Sequence, residues 1–543
     1  MNHKQPSWLP FKSDLRPLGW QLTSLLIASV VMLPLMAVIL SWFTPFSEHW
    51  SHFFTDNLGK LLVNSGLLLV VVSCLTAFVG VSLGWFVSQF NFPGRRFFRI
   101  ALILPLTLPA YVTGFVYLGL FEYAGPFFTA LRALGIDSFF EIKSLGGAGL
   151  TLSFALFPYV FILSEQGFSS LSSRYFEAAG SLGYSRLKTF FGLALPMVRP
   201  WLFLSLSLVA METLADFGTV SIFVVDTFTT AIYKAWYGFY SISLAAQLAS
   251  TLLLFIIGLL WLESRQRKNR TYAGKLEYRR KLIELRGRRA YLVCSFCSLV
   301  FLFSFFIPFF QLLFWTFSIE HSQLDKLVAA FWRSLVIGLL AASCVAIVSV
   351  LLVFAKRFYP NRLLRAATRI SLLGYALPGA VLAVGLYFPL AAADNWFADL
   401  VSEIFGTDPG LLLTGSIVTL VLGLTIRYLA VGHANVDAAL ERVSPRLDEA
   451  AQNFGSVGWA QIKFLHFPLI KSALTAAFVL TFVDVVKEMP LTLMTRPFGW
   501  DTLAVKIFEY ISEGEWEMAA LPSLLLALLG LLVMLVFKKK EFS

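Results

Sequence analysis

Four carboxylates stand where carboxylates are rare. Glu212, Asp216, Asp484 and Glu488 interrupt two otherwise apolar stretches, and Lys487 lies beside the last of them. Counted as helices from the near end of each stretch, Glu212 and Asp484 lie about 18 to 20 Å in, and Asp216 and Glu488 about 24 to 26 Å. Ionisable groups at such depth line polar paths across a membrane, and their hard oxygen donors suit a hard cation. The competing reading is a structural cluster near the outer interface, in which Lys487 neutralises its neighbours. The remaining metal-ligand candidates are weaker. Cys294-Ser-Phe-Cys297 is a single pair with no second pair to complete a site, and reads as packing. His49 and His52 stand one helical turn apart beside an apolar run and do not amount to a metal site. The chain has no Gly-x-x-x-x-Gly-Lys-Ser/Thr phosphate loop, so it is expected to bind no nucleotide or other cofactor and to catalyse nothing itself.

The elements that must position these carboxylates are membrane helices. With 58% hydrophobic residues, 14% charged residues and 54 Phe in 543 positions, the chain is far poorer in charge than a soluble domain, which carries about 25%. Its mean hydropathy is +0.75. Apolar runs of the roughly 20 residues that cross a bilayer as a helix recur along it. They predict an all-α polytopic membrane protein of about twelve spans, centred near residues 31, 75, 110, 155, 212, 251, 303, 344, 381, 420, 482 and 528. The first is too long for the apolar core of a signal peptide and lacks a small-residue cleavage site, so it is read as a retained helix. The formal charge of +11 is a topology signal rather than a sign of nucleic acid. With the N-terminus inside, the inner loops hold about 34 of the Lys and Arg against roughly 11 acids, the positive-inside asymmetry. Both termini are then cytoplasmic and the outer face acidic.

The chain also repeats itself. Residues 172–183 read Ser-Ser-Arg-Tyr-Phe-Glu-Ala-Ala-Gly-Ser-Leu-Gly, and residues 444–455 read Ser-Pro-Arg-Leu-Asp-Glu-Ala-Ala-Gln-Asn-Phe-Gly. Glu177, Ala178, Ala179, Gly183 and Pro196 thus return 272 positions later as Glu449, Ala450, Ala451, Gly455 and Pro468. Five such matches in one register have a chance probability on the order of 10⁻⁶ given ordinary residue frequencies. Weaker echoes relate Asn64-Ser65 to Arg333-Ser334, Phe92-Pro93-Gly94-Arg95 to Tyr359-Pro360-Asn361-Arg362, and Leu108-Pro109-Ala110 to Leu377-Pro378-Gly379. Duplication explains them, and it divides the chain into a first half (1–262), a basic linker (263–290) and a second half (291–543), each half with six spans. The linker reads as a solvated loop beside anionic headgroups.

Each repeated loop falls between the fourth and fifth spans of its half and therefore faces the cytoplasm. Glu-Ala-Ala favours helix, the glycine permits a reversal with positive φ, and the proline is expected to end a second short segment before the next span. A short helix offering small residues and one carboxylate can enter a cleft on a partner.

At these residues the chain resembles the permeases of binding-protein-dependent ABC importers, whose mark is a cytoplasmic Glu-Ala-Ala, three residues, Gly loop followed about a dozen residues later by Pro. The resemblance implies that Glu177 and Gly183, and Glu449 and Gly455, dock on two copies of a cytoplasmic ATPase that hydrolyses ATP. It also implies a periplasmic substrate-binding protein as partner, a location in the bacterial inner membrane among its lipids, and one path framed by two halves. Met211-Glu-Thr-Leu-Ala-Asp-Phe-Gly-Thr-Val-Ser-Ile-Phe223, Asp226–Trp236 and Val485-Val-Lys-Glu-Met-Pro-Leu-Thr-Leu493 are similar to the ferric-iron branch, which implies ferric iron as cargo. Thiamine, phosphonate and polyamine importers are the alternatives within the class. Outside it stands a secondary transporter, which has no need of twin cytoplasmic loops.

Overall fold

A computed structural model describes residues 16–45, 50, 57–136, 140–267, 282–319, 324–456 and 458–541. His49, His52, the extreme termini and the middle of the linker (268–281) lie outside the described residues.

Among the described residues the regular structure is helical apart from one two-residue parallel ladder. Among the described residues nine helices are long and apolar enough to cross a bilayer: Leu18–Phe43, Leu58–Gln89, Leu145–Ser169, Ile242–Leu259, Arg288–Ser318, Leu324–Phe358, Gly379–Phe405, Ile417–Glu441 and Trp459–Lys487. Two further pairs are bent, Arg95–Thr107 with Ala110–Ala133 by 90° and Arg186–Met197 with Arg199–Ala215 by 71°, and Ala520–Leu531 is a shorter apolar stretch. Every span centre expected from hydropathy falls on one of these elements. Those at 110 and 381, however, fall at helix starts. In both halves the span opens on a proline, Pro109 or Pro378, and is preceded by a 3₁₀ turn and a short basic helix, Arg95–Ala101 or Arg362–Ser371. A proline fixes its own φ and pushes the residue before it out of the helical region, so the break recurs where the Leu-Pro echo stands.

The helices meet through small residues, as expected where lipid supplies no hydrophobic drive between them. Gly80 and Gly84, four residues apart on Leu58–Gln89, lie against Leu145–Ser169 so closely that an added Cβ would come within 2.6 Å of Val160 Cβ and 2.7 Å of Ser164 Cβ. The halves are also interleaved. Helix Arg16–Leu40 packs on Arg362–Ser371 and Gly379–Phe405 of the second half, and Arg288–Ser318 packs in part on helices of the first. The basic linker is shorter as a loop than its composition suggests. Its first residues continue helix Ile242–Arg267, its last begin the helix at Arg288, and Ile283–Glu284 pairs in parallel with Phe90–Asn91. Cys297 is buried against Leu83, Val87 and Phe90, and all four cysteines are free thiols.

Candidate functional site: a polar cavity between the halves and two matched loops

The two Glu-Ala-Ala loops have the same backbone. Ser172 and Ser444 cap nine-residue helices, Ser173–Ser181 and Pro445–Asn453, each accepting the N–H two residues on. Both helices end on a left-handed glycine, Gly183 at φ +73° and Gly455 at φ +77°. The Gly183 N–H donates to Gly180 O and the Tyr184 N–H to Ala179 O, both at 3.0 Å; Gly455 and Ser456 donate to Gln452 O and Ala451 O, both at 2.9 Å. This is the paired closure that satisfies orphan carbonyls at a helix end. Glu177, Ala178, Glu449 and Ala450 are exposed, Ala179 is buried and Ala451 half-buried. Three matched positions present apolar groups beside them: Tyr175 and Leu447, Leu182 and Phe454, Leu187 and Trp459 are all exposed.

The prolines act differently from the expectation. Both follow a five-residue π turn, Phe190–Ala194 before Pro196 and Ile462–His466 before Pro468, and neither ends its segment. The wider turn tolerates a residue that cannot donate to the ladder. In the first copy the break comes two residues later at Val198 (φ −92°, ψ 4°), ahead of Pro200. The second copy has Ser472 at the matching position and runs unbroken to Lys487.

The loops are fastened to their halves by unlike chemistry. Behind the first, Trp85 packs on Phe168, Phe176 and Phe190 with ring centroids 5.0 to 5.9 Å apart. Behind the second, Asp448 pairs with Arg357 at 2.8 Å and with His466 at 3.1 Å, while Lys356 holds Asp437 at 2.8 Å.

The four deep carboxylates do meet. Glu212, Asp216, Asp484 and Glu488 line one cavity of about 210 Å³ between the halves, with Lys487, Arg427, Tyr111, Tyr159, Tyr375 and Tyr428. They are of two kinds. Helices Arg199–Ala215 and Phe467–Lys487 stop one residue before Asp216 and Glu488, so these two stand in breaks rather than further along the helix as simple counting placed them. Asp216 accepts from Val220 N and Thr219 Oγ1, both at 3.0 Å; Glu488 accepts from Leu491 N and Thr492 N, both at 2.9 Å, and from Thr492 Oγ1 at 3.0 Å. Each thus caps the short helix that follows, Gly218–Ile222 or Pro490–Thr495, where the N–H groups and the dipole favour an anion. Glu212 and Asp484 have no such role and face the cavity, Glu212 with the Tyr375 hydroxyl as hydrogen-bond partner. Lys487 reaches across to donate to Leu106 O at 2.8 Å, and Arg427 donates to Leu377 O at 3.1 Å.

Arg427 and the tyrosines escaped the reading of the sequence. Arg427 carried the same signal as the carboxylates, an isolated charge within the apolar span Ile417–Glu441. The tyrosines carried none, since an aromatic residue in a membrane helix is usually packing.

Residues 77–268 match the family described as the binding-protein-dependent transport system inner membrane component. Over 97% of this chain and 99% of its own length, an Fe(3+)-transport system permease protein of Haemophilus influenzae is 27% identical. A ferric transport system permease protein of Actinobacillus pleuropneumoniae is 22% identical over 94% of this chain and 76% of its own length. A sulfate transport system permease protein of Salmonella typhimurium is 27% identical over 36% of this chain and 71% of its own length. The matched residues include the first Glu-Ala-Ala loop, Glu212 and Asp216, and their counterparts recur in the second half. Residues 77–268 therefore match the permease domain of the binding-protein-dependent transport system inner membrane components.

Proposed function

We propose that this chain is the fused two-half permease of an ATP-driven importer that passes ferric iron from a periplasmic binding protein to the cytoplasm. The observation that carries the reading is the polar cavity, to which both halves contribute a carboxylate at matched positions, Glu212 and Asp484. Likeness to ferric permeases along nearly the whole chain supports iron over sulfate, because the sulfate relatives match little more than a third of it; thiamine, phosphonate and polyamine are separated from iron by the uptake assay below.

In this reading 1–262 and 291–543 are the two permease halves. The twin loops each seat one copy of a cytoplasmic ATPase, so that a nucleotide-driven change in the ATPase pair moves both loops, and the helices behind them, together. Both termini are cytoplasmic. The cavity is the point of passage, and Asp216 and Glu488 hold the helix breaks that shape its wall.

Deletion of the chain should abolish high-affinity ferric-iron uptake. Glu212→Gln and Asp484→Asn should lower uptake, whereas Asp216→Asn should be mild, since Asn caps a helix about as well as Asp. Normal iron uptake with lost uptake of sulfate, thiamine or phosphonate would refute the cargo. Intact transport in the Glu212→Gln, Asp484→Asn double variant would make those carboxylates structural.

A further inference from the structure

The cavity holds charges of both signs, and their arrangement narrows what can occupy it. Asp216 accepts from Val220 N and the Thr219 hydroxyl, and Glu488 from Leu491 N, Thr492 N and the Thr492 hydroxyl, so both are tied to the short helix that follows. The carboxylates left to a ligand are Glu212 and Asp484, which share the wall with the phenols of Tyr111, Tyr159, Tyr375 and Tyr428. Carboxylate and phenol oxygens are hard donors that suit a small, highly charged cation. The same wall carries Arg427 and Lys487, which offset two of its four carboxylates. Both cations come from the second half. The first half has Ala155 and Ala215 at the corresponding positions, and these also line the cavity.

With all four carboxylates counted against Arg427 and Lys487, the wall carries a formal charge of at most −2, so a bare trivalent cation would leave its water for a space that does not neutralise it, and such a transfer is unfavourable. Nor does the protein supply a full coordination shell. Among the described residues no three His, Cys, Asp or Glu side chains come together as metal ligands. Lys487 donates to Leu106 O, and Arg427 to Leu377 O and to the Tyr428 side chain, which leaves further N–H donors on both. The Tyr111 hydroxyl, on a side chain only 5% exposed, has no hydrogen-bond partner. An orphaned polar group on the wall of a polar cavity marks a place for a ligand.

We propose that the cavity receives its cation as a complex with an oxyanion. The metal faces Glu212, Asp484 and the phenols, and the anion's oxygens face Arg427 and Lys487. A planar guanidinium is suited to two oxygens of one anion, and an ammonium to a third. The complex carries less charge than its cation, so it crosses the low-dielectric centre with a smaller desolvation penalty, and both signs of side chain find a partner. The proposal rests on the reading that the cargo is ferric iron.

The full chain, assembled with its ATPase and binding protein in proteoliposomes, tests it. Radioactive ferric iron is supplied with radiolabelled phosphate in one run and radiolabelled citrate in another. At least one labelled oxyanion should accumulate with iron in a fixed ratio that depends on ATP. Lys487→Gln and Arg427→Gln should each lower iron uptake by about tenfold, and Arg427→Lys should restore part of the loss. Iron that enters with neither label would overturn the proposal. So would a rise in iron uptake in Lys487→Gln or Arg427→Gln, which relief of repulsion on a bare cation would produce. The co-accumulation ratio needs only the unsubstituted chain, so it decides the matter even where a variant fails to fold. No iron uptake by the unsubstituted assembly would overturn the iron reading itself, and this proposal with it.

Discussion

Substituting the two loop glycines separates a docking role from a connecting one. Gly183 and Gly455 sit at φ +73° and +77°, and an added Cβ at either meets nothing within 4 Å. Alanine therefore meets no clash, only the left-handed backbone penalty of about 1–2 kcal/mol, reduced by roughly 0.4–1 kcal/mol because alanine also restricts the unfolded chain. The net, about 1 kcal/mol, shifts the population of the closed turn about fivefold. Asparagine tolerates the left-handed region better than alanine and should fall between Gly and Ala. Tryptophan adds a bulk that open solvent accepts but a partner's cleft does not. Copies of the chain carrying Asn, Ala or Trp at both positions should insert into the membrane with undiminished yield. Co-purification of the ATPase and transport-stimulated hydrolysis should decline in the order Gly, Asn, Ala, Trp. Gly432 is the control with the opposite behaviour. Its added Cβ would strike Val345 and lie 2.9 Å from Ser349 Oγ between two spans, so Gly432→Ala should reduce folded yield instead. Full retention of both readouts in the Gly183→Trp, Gly455→Trp double variant would reduce the repeated loop to a connector and end the coupling argument.

The unlike fastenings of the loops make a second test. Arg357→Met should loosen the second loop by about 1–3 kcal/mol, less than a fully buried pair is worth because both side chains keep some exposure, and should raise proteolysis within residues 445–453. Trp85→Ala should loosen the first loop by about 3 kcal/mol. High salt should mimic the first substitution and not the second, since screening acts on charges alone; equal salt sensitivity of the two loops would contradict this account. For topology, single cysteines at Asp14, Arg280 and Glu541 in a cysteine-free background should resist an impermeant thiol reagent while those at Asp399 and Glu513 react, and outside labelling at Arg280 would reverse the proposed orientation.

Several features were legible one segment at a time. The helix positions follow from runs of apolar residues, because each span must satisfy its own backbone and face lipid wherever it stands. The twin loops follow from five residues at one spacing, and their glycines took the positive φ expected of them. Errors arose where a residue's effect depends on what its neighbours permit. Pro196 and Pro468 promised helix ends, yet a π turn precedes each, and the break in the first copy falls two residues after Pro196, at Val198 ahead of Pro200. Asp216 and Glu488 were placed by counting along an unbroken helix, but the chain breaks at both and turns the carboxylate onto the next N-terminus. Lys487 lies among the carboxylates as expected and also donates to a carbonyl of the other half, a bond with no sign in the sequence.

The sequence by itself determined that the chain lies in a membrane, that it was built by duplication, and that two loops of one shape stand in equivalent places. These are matters of composition and spacing, set by how each segment meets lipid and satisfies its own hydrogen bonds. Only the tertiary structure decided that Glu212 meets Asp484, that Arg427 and four tyrosines join them, and that one loop is fastened by aromatic rings and the other by charge. Those outcomes depend on how far each helix is rotated and which partner it packs on. Residues separated by 272 positions have no local term linking them, and small-residue contacts such as Gly80 on Val160 set the rotation through close packing that no single segment encodes.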